Sequence, residues 1–316
     1  MTLFHRGQHN PDLFPAEAYP LVETVRGDRE NEADLENFAS RSFDAVVDTC
    51  GYFPRQVRLS AGKLAGKTPL YCFISTVSVY ADLSRGGVTE EAPLGTLEDP
   101  DTDQLTGETY GPLKVLCEQA AQEAFPHSCL IIRPGLIVGP HDVSDRFAYW
   151  GHRIAQGGDV LCPGNPAIET QVIDARDLAE WTVQLLEQST TGVFNAVGPD
   201  YPLTLGTLFE TCREVTQSDA AFVWVPEDFL LENEVQPWLE LPLWIPQSGD
   251  SAGLDRISYQ KAVEAGLTFR PLADTVRDTQ QWNQTRAQEN AWKRTLTREK
   301  EQATLAKYRE SLPAPS

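Results

Sequence analysis

The stretch Thr109–Glu118, TYGPLKVLCE, places a tyrosine and a lysine four residues apart at the start of an apolar-periodic segment. In a helix this spacing puts Tyr110 and Lys114 on the same face, one turn apart. The ordinary pKa of a tyrosine hydroxyl is about 10, and an ammonium group beside it favours the phenolate and tunes it toward proton transfer. The pair predicts a proton relay, although the same spacing also occurs on the solvated face of ordinary helices.

An apolar strand precedes this helix in the sequence. Residues Leu70–Tyr80 read LYCFISTVSVY, which predicts a buried strand that runs into a cluster of hydroxyl side chains. Ligands of open α/β sheets bind beyond the carboxyl ends of the strands. The hydroxyl cluster and the Tyr-x-x-x-Lys helix are therefore candidates for one functional site.

This order of motifs resembles the short-chain dehydrogenase/reductase superfamily, and its extended branch, the NAD-dependent epimerase/dehydratase family, fits best. The family's strand-end motif Ser-Ser-x-x-Val-Tyr-Gly is matched by Ser75–Ala81, with Thr76 at the position of the catalytic serine or threonine. The resemblance continues through Arg133–Pro140 (RPGLIVGP) and Ile173–Leu178 (IDARDL). It implies an α/β fold with a Rossmann-like, doubly wound parallel sheet and a smaller C-terminal substrate-binding region.

The resemblance also implies a division of the chain into regions. Residues 1–140 are expected to form the NAD(P)-binding domain, with parts of 169–200 returning to it. Residues 141–275 are expected to form a discontinuous substrate-binding region. The polar, helix-prone residues 276–316 are expected to form a helical tail that packs along the surface or against a partner chain.

The beginning of the sequence departs from the family pattern. Met1–Gly7 resembles the second strand of the sheet, whereas in the family a first strand, a Gly-x-x-Gly-x-x-Gly turn and a helix come before it and hold the pyrophosphate. The missing strand is normally central, so the sheet as given is expected to be N-terminally truncated, with two interior strands left unpaired. We favour a true start upstream of Met1; otherwise cofactor affinity should be poor.

The resemblance implies a nicotinamide cofactor. In the family a carboxylate after the second strand binds the ribose of NAD, but this sequence has His5 and Arg6 there. An arginine suits the additional phosphate of NADP, so NADP is favoured over NAD, while a solvated turn arginine remains an equal alternative. The other implied cofactor-binding residues are Asp28, Arg29, Thr49, Cys50, Gly51, Lys114, Arg133, Pro134 and Gly135.

The resemblance also implies the chemistry. Tyr110 would act as acid or base on a substrate hydroxyl or carbonyl, Lys114 would hold the tyrosine and the nicotinamide ribose, and Thr76 would donate a hydrogen bond to the substrate oxygen. Hydride would move to or from C4 of the nicotinamide.

The residues at two positions favour some reactions of the family over others. Sugar 4,6-dehydratases of the family carry an acidic pair where this sequence has Val77 and Ser78, and nucleotide-sugar epimerases carry an asparagine where it has Leu136. Reduction of a carbonyl or oxidation of an alcohol on a small molecule is therefore favoured. A nucleotide-sugar epimerase, and a pseudoenzyme or regulatory binding protein with little cofactor affinity, remain alternatives.

Many members of the superfamily form dimers in which the Tyr-x-x-x-Lys helix packs against its copy. Leu113, Leu116 and Cys117 are predicted to face outward from this helix, where they would be poor partners for water. A homodimer is therefore expected.

Composition excludes several other classes. With 26 Lys+Arg against 46 Asp+Glu the net charge is −20, which disfavours nucleic acid and anionic membranes as partners. The sequence contains no apolar run of membrane-spanning length and no secretion signal. Six scattered cysteines indicate neither a disulfide framework nor a metal site. These features predict a cytoplasmic protein that acts on a small molecule.

Overall fold

The computed structural model describes residues 1–8, 17–286 and 295–313. The chain divides into two compact units. The first unit comprises residues 1–81, 93–133 and 184–194, and the second comprises residues 82–92, 134–183 and 195–316.

Strands and helices alternate along the first part of the chain, as in an α/β fold. The elements are β1 (Thr2–His5), β2 (Glu23–Arg26), α1 (Glu32–Ala39), β3 (Val46–Asp48), α2 (Pro54–Leu64), β4 (Tyr71–Ile74), a 3₁₀ turn (Val77–Val79), α3 (Gly107–Ala124) and β5 (Cys129–Pro134).

The alternation continues to about residue 225 and then gives way to helices. The elements are β6 (Leu136–Val138), α4 (Arg146–Ala155), β7 (Asp159–Pro163), β8 (Val172–Asp174), α5 (Ala175–Glu187), β9 (Gly192–Ala196), α6 (Leu205–Thr216), β10 (Ala221–Val225), α7 (Glu227–Glu232), α8 (Gln260–Glu264), α9 (Leu272–Gln284) and α10 (Arg298–Ser311).

The strands form four small sheets. One has four strands in the order β3-β4-β5-β9, and the others pair β1 with β2, β6 with β8, and β7 with β10. The pairings of β1 with β2, β3 with β4, β4 with β5, β6 with β8 and β7 with β10 are all parallel. The predicted α/β class with parallel sheets is therefore confirmed.

The strands of the first unit form two separate sheets. In the described residues, β1 pairs with β2 alone, and no ladder joins it to β3. Side-chain packing connects the two pieces instead. The ring of Phe4 on β1 stacks on Phe38 of α1 with 4.8 Å between centroids, and Phe38 stacks on Phe43 at the same distance.

The core of the first unit forms around β4. Tyr71, Cys72 and Phe73 are all 0% exposed, because helices cover the faces of a parallel sheet and leave its central strands without a solvent side. Tyr71 and Phe73 pack in one apolar cluster with Cys117 of α3 and Val57 of α2.

The second unit has its own core, in which aromatic rings pack among many aliphatic side chains. Trp150 of α4 is fully buried, its ring lies 4.1 Å from that of Phe209 on α6, and its indole N–H donates to the carbonyl of Pro242 at 2.7 Å. Trp244 is also fully buried, and its indole N–H donates to Glu227 at 2.6 Å. These two tryptophans therefore pack in the core.

Helix α10 is fixed to the second unit by a buried ion pair. The side chains of Arg153 and Glu301 are 3% and 2% exposed, and Arg153 Nε lies 2.8 Å from Glu301 Oε2. Glu301 Oε1 also accepts from the backbone N–H of Leu161 on β7 at 3.0 Å. A charge buried in this way is stable only while its partner stays in place.

Replacing Glu301 should therefore weaken the fold. Glu301→Gln removes the charge that compensates Arg153, and we expect the free energy of unfolding to fall by about 3 kcal/mol. Glu310→Gln, at an exposed position of the same helix, should change it by less than about 0.5 kcal/mol. Urea unfolding of both variants tests this, and equal stabilities would contradict it.

Candidate active site

Lys114 is buried beneath the ends of β3 and β4. It is 3% exposed, and its Nζ donates to the carbonyls of Gly51 at 2.9 Å and Ile74 at 2.8 Å. Nζ also lies 4.1 Å from the centroid of the Phe73 ring, a favourable cation–π distance. Two carbonyls and an aromatic face thus replace most of the water around this ammonium group.

This environment changes the acidity of Lys114. Burial lowers the pKa of its ammonium group to about 8, because removal from water disfavours the charged form, and the charges of Asp48 and Glu118 oppose the shift only in part. A lysine with this pKa carries a mixture of charged and neutral forms near pH 8. That behaviour suits a group that takes part in proton transfer.

Gly111 allows α3 to approach the 3₁₀ turn. A Cβ atom at Gly111 would overlap the carbonyl oxygen of Ser78, so a residue with a side chain does not fit there. Tyr110 precedes Gly111 and is half-buried. The close contact brings the Tyr110 end of α3 against the turn that follows Thr76.

Thr76 caps the 3₁₀ turn. Its Oγ1 accepts from the backbone N–H of Ser78 at 3.1 Å and donates to Ser78 Oγ at 3.2 Å. The neighbouring Ser75 Oγ is buried and has no hydrogen-bond partner among the described residues. Ser78 is therefore a direct partner of the candidate catalytic hydroxyl, a role that sequence reasoning did not assign to it.

The three predicted catalytic residues belong to one unit and surround the end of β4. Lys114 binds the last carbonyl of that strand, Thr76 follows the strand by two residues, and Tyr110 lies beside the glycine that contacts the turn. The structure thus brings together Thr76, Tyr110 and Lys114 from two distant parts of the sequence.

Residues 49–53, called here the Gly51 turn, follow β3. Thr49 and Cys50 are exposed, whereas Gly51 is buried. A Cβ atom at Gly51 would press into the side chains of Val57 and Phe73, so the turn passes closer to the core than another residue would allow. None of the six cysteines forms a disulfide, and all except the exposed Cys50 are buried.

Positive charge gathers at the end of β1. Arg6 Nη1 lies 3.9 Å from the carboxylate of Asp28, and both side chains are about half-exposed. Arg26 Nη1 lies 3.4 Å from His5 Nδ1. Sequence reasoning named Arg6 but missed Arg26. The parallel register that sets His5 opposite Arg26 is the signal that points to it.

Two other predicted cofactor-binding arginines form ion pairs inside the first unit. Arg29 Nη1 and Nη2 bind the two oxygens of Asp48 at 2.6 and 2.7 Å. Arg133 Nε and Nη2 bind Glu118 at 2.9 and 2.7 Å, and its Nη1 donates to the hydroxyl of Tyr80 at 3.1 Å. Sequence reasoning missed both carboxylates. The cofactor roles of the two arginines stay predictions.

Pro134 and Gly135 lie where the chain enters the second unit. Pro134 ends β5, and the backbone N–H of Gly135 donates to the carbonyl of Ala196 at 3.1 Å. The next residue, Leu136, is half-buried and packs against the hydrophobic cluster of the second unit. The position that holds an asparagine in nucleotide-sugar epimerases is therefore an apolar packing position here.

The prediction that Leu113 and Cys117 face outward is wrong. Both are 0% exposed, and Cys117 packs in the cluster that holds Tyr71 and Phe73. Leu116 is half-buried. Two of the three side chains that indicated a dimer are thus used within the chain, and the homodimer stays a prediction without their support.

Two kinds of feature are absent from the described ranges. There, no group of three or more His, Cys, Asp or Glu side chains could hold a metal ion. None of the helices in those ranges has both the length and the apolar composition to cross a membrane.

The sequence was compared with known families. Residues 59–197 match the model of the NAD dependent epimerase/dehydratase family. The predicted family resemblance is confirmed. The matched residues include Thr76, Tyr110 and Lys114. No curated protein matches the sequence.

Solved structures with the same fold include UDP-sugar 4-epimerases. UDP-glucuronic acid 4-epimerase from Bacillus cereus, in complex with NAD, is 15% identical with a TM-score of 0.62, and the match covers 90% of each chain. UDP-glucose 4-epimerase from Thermotoga maritima, with UDP-glucose, is 16% identical with a TM-score of 0.62, and the match again covers 90% of each chain. RMD from Pseudomonas aeruginosa, complexed with NADPH, is 16% identical with a TM-score of 0.58, covering 90% of this chain and 99% of that one. The fold is thus Rossmann-like.

The contact at Gly111 gives a testable expectation. Gly111→Ala should lower the free energy of unfolding by about 2 kcal/mol, because α3 must move away from the carbonyl of Ser78. Gly107→Ala is the matched control, since nothing lies within 4 Å of a Cβ atom at this first residue of α3. Urea unfolding measures both. A Gly111→Ala protein as stable as the control would refute the contact.

Lys114 predicts a dependence of stability on pH. Its pKa rises from about 8 when folded to its ordinary value of 10.5 when unfolded, so the unfolded chain holds the proton more tightly between these pH values. The cost of burying the charge is complete below pH 8 and is relieved as the pH rises toward 10.5. Over that range, stability should rise by roughly 3 kcal/mol relative to Lys114→Met. Unfolding curves of both proteins that run parallel with pH would contradict this.

Proposed function

We propose that this chain is an NAD(P)-dependent enzyme of the short-chain dehydrogenase/reductase type that reduces a carbonyl, or oxidises an alcohol, on a small molecule. The observation that carries the proposal is the buried ammonium of Lys114. It is held by the carbonyls of Gly51 and Ile74 one helical turn from Tyr110 and next to the strand end that leads to Thr76. A lysine buried without a carboxylate partner is costly, which favours a functional role over a structural one.

Each of the three residues has a distinct proposed role. The hydroxyl of Tyr110 gives a proton to a substrate carbonyl oxygen in a reduction, and its phenolate form takes a proton from a substrate hydroxyl in an oxidation. The charge of Lys114 favours the phenolate form of that tyrosine. Thr76 turns its hydroxyl from Ser78 Oγ toward the substrate oxygen and holds that oxygen in position by a hydrogen bond. Ser78 keeps Thr76 oriented until the substrate binds.

The residues present suit a nicotinamide cofactor, which when bound supplies or accepts the hydride. Lys114 has three N–H donors and gives two of them to protein carbonyls, so one donor remains for a ribose hydroxyl. The Gly51 turn directly follows β3, and its residues Thr49 and Cys50 are exposed. Arg6 and Arg26 at the end of β1 suit the additional phosphate of NADP, which supports NADP over NAD.

The preference for reduction or oxidation is supported by the residues at two positions of the chain. Val77 and Ser78 give no carboxylate for a dehydration, and Leu136 packs in an apolar cluster instead of presenting an amide to a diphosphate. A second candidate, a nucleotide-sugar epimerase, has the support of the fold shared with UDP-sugar epimerases. Incubation with UDP-sugars and with a panel of aldehydes and ketones, with NADPH and NADH followed by absorbance, separates the two. If neither NADPH nor NADH binds in a calorimetric titration, a regulatory binding protein would be favoured instead.

Tyr110→Phe tests the proposed chemistry. The change removes one hydroxyl, so we expect turnover to fall by about 100-fold or more while the fold and the cofactor affinity stay the same. Tyr308→Phe is the control, because Tyr308 lies on α10, outside the region that is expected to bind the substrate. A Tyr110→Phe enzyme that keeps more than about a tenth of the native turnover would overturn the assignment.

A further inference from the structure

Asp48, the last residue of β3, has a full set of hydrogen bonds. Its Oδ1 accepts from Arg29 Nη1 at 2.6 Å and from the backbone N–H of Cys50 at 3.2 Å. Its Oδ2 accepts from Arg29 Nη2 at 2.7 Å and from the hydroxyl of Tyr71 at 2.7 Å. Burial opposes the charge on Asp48, but the hydrogen bonds and charge of Arg29 outweigh it and hold the pKa of this carboxyl below its usual value.

The same network reaches the other end of the Gly51 turn. Arg29 Nη2 donates to Ser60 Oγ at 2.8 Å and to the carbonyl of Gln56 at 3.3 Å. The side-chain oxygen of Gln56 accepts from the backbone N–H groups of Tyr52 at 3.0 Å and Phe53 at 3.2 Å. The turn is therefore held before Gly51 by Asp48 and after it by Gln56, and Arg29 binds both residues.

We propose that Arg29 and Asp48 are positioning residues for Lys114, which hold the Gly51 turn so that the carbonyl of Gly51 faces the Lys114 ammonium group. The proposal rests on the proposed function in one respect, since the position of Lys114 matters for turnover only if Lys114 takes part in it. Arg29 thereby acts at a distance from the reacting atoms, through Asp48, Cys50 and Gly51.

Stability alone does not account for this pair. A buried ion pair can generally be replaced by apolar side chains of similar volume without loss of stability. Arg29 also leaves its Nε–H buried without a partner among the described residues, which is unfavourable. What apolar side chains could not supply is the charged acceptor for the N–H of Cys50 and the donors for Ser60 and Gln56. These hydrogen bonds of Asp48 and Arg29 orient the carbonyl of Gly51.

The test is the accessibility of the Lys114 amine. Arg29→Met removes the donors at similar length, and Arg29→Lys keeps the charge but loses the two-pronged geometry. Reductive methylation at pH 8, read by mass spectrometry, compares the labelling rate of Lys114 with that of exposed Lys67 in the same molecule. We expect the Lys114 to Lys67 ratio to rise about tenfold in Arg29→Met and by less in Arg29→Lys, because a displaced Gly51 carbonyl uncovers the ammonium group.

Two controls separate positioning from general loss of stability. Arg41→Met removes an arginine of the same unit whose pair with Glu23 is on the surface, and it should leave the ratio unchanged. Glu301→Gln destabilises the second unit without touching the turn, and it too should leave the ratio unchanged at a temperature well below unfolding. An equal rise in Glu301→Gln and Arg29→Met would overturn the proposal.

Turnover measured on the same variants distinguishes this proposal from the proposed function. Faster labelling together with lower turnover supports both. Faster labelling with native turnover supports the positioning of Lys114 and refutes its part in the reaction. An unchanged ratio in folded Arg29→Met overturns the positioning whatever the turnover. If Arg29→Met does not fold, Ser60→Ala, which removes one acceptor of Arg29 Nη2, should raise the ratio about threefold, and no rise would overturn the proposal.

Discussion

The first unit is arranged around a single constraint, the burial of the Lys114 ammonium group. A charge removed from water needs a replacement for its hydration, and here the carbonyls of Gly51 and Ile74 provide it. One carbonyl belongs to the turn after β3 and the other to the last residue of β4, so α3 must lie at one depth and in one rotation relative to the sheet. Gly111 allows that approach, and the Arg133–Glu118 pair joins the same helix to β5. The lysine predicted to be catalytic thus also constrains the packing around it.

The division of the sheet shows which forces hold the first unit together. β1 and β2 share no backbone hydrogen bonds with the four-stranded sheet in the described residues. The stacked rings of Phe4, Phe38 and Phe43 and the contact of Arg29 with Asp48 make the connection instead. Arg29 follows β2 and Asp48 ends β3, so one ion pair joins the two pieces of sheet at the edge where the candidate site lies.

Strong local patterns in the sequence predicted the strand that leads to Thr76 and the helix that carries Tyr110 and Lys114, and the family resemblance predicted the α/β class with parallel strands. It was not sufficient for the ion pairs. Asp48 and Glu118 look like ordinary carboxylates in the sequence, and their partners are 19 and 15 residues away, where no helical or strand period relates them. The outward direction predicted for Leu113 and Cys117 failed for a different reason. About half of the residues of α3 are apolar, so its sequence does not say which apolar side faces the core.

The buried pair of Arg153 and Glu301 has a consequence for protein synthesis. The guanidinium group of Arg153 lies in a core that its partner reaches from a helix 148 residues further along the chain. During translation Arg153 therefore has no Glu301 to pair with until α10 has been made. The sheet of the first unit is also incomplete until late, because its edge strand β9 follows α5 in the chain. For most of the time that this chain spends on the ribosome, neither unit has its full set of partners, and exposed apolar surface at that stage is what chaperones bind.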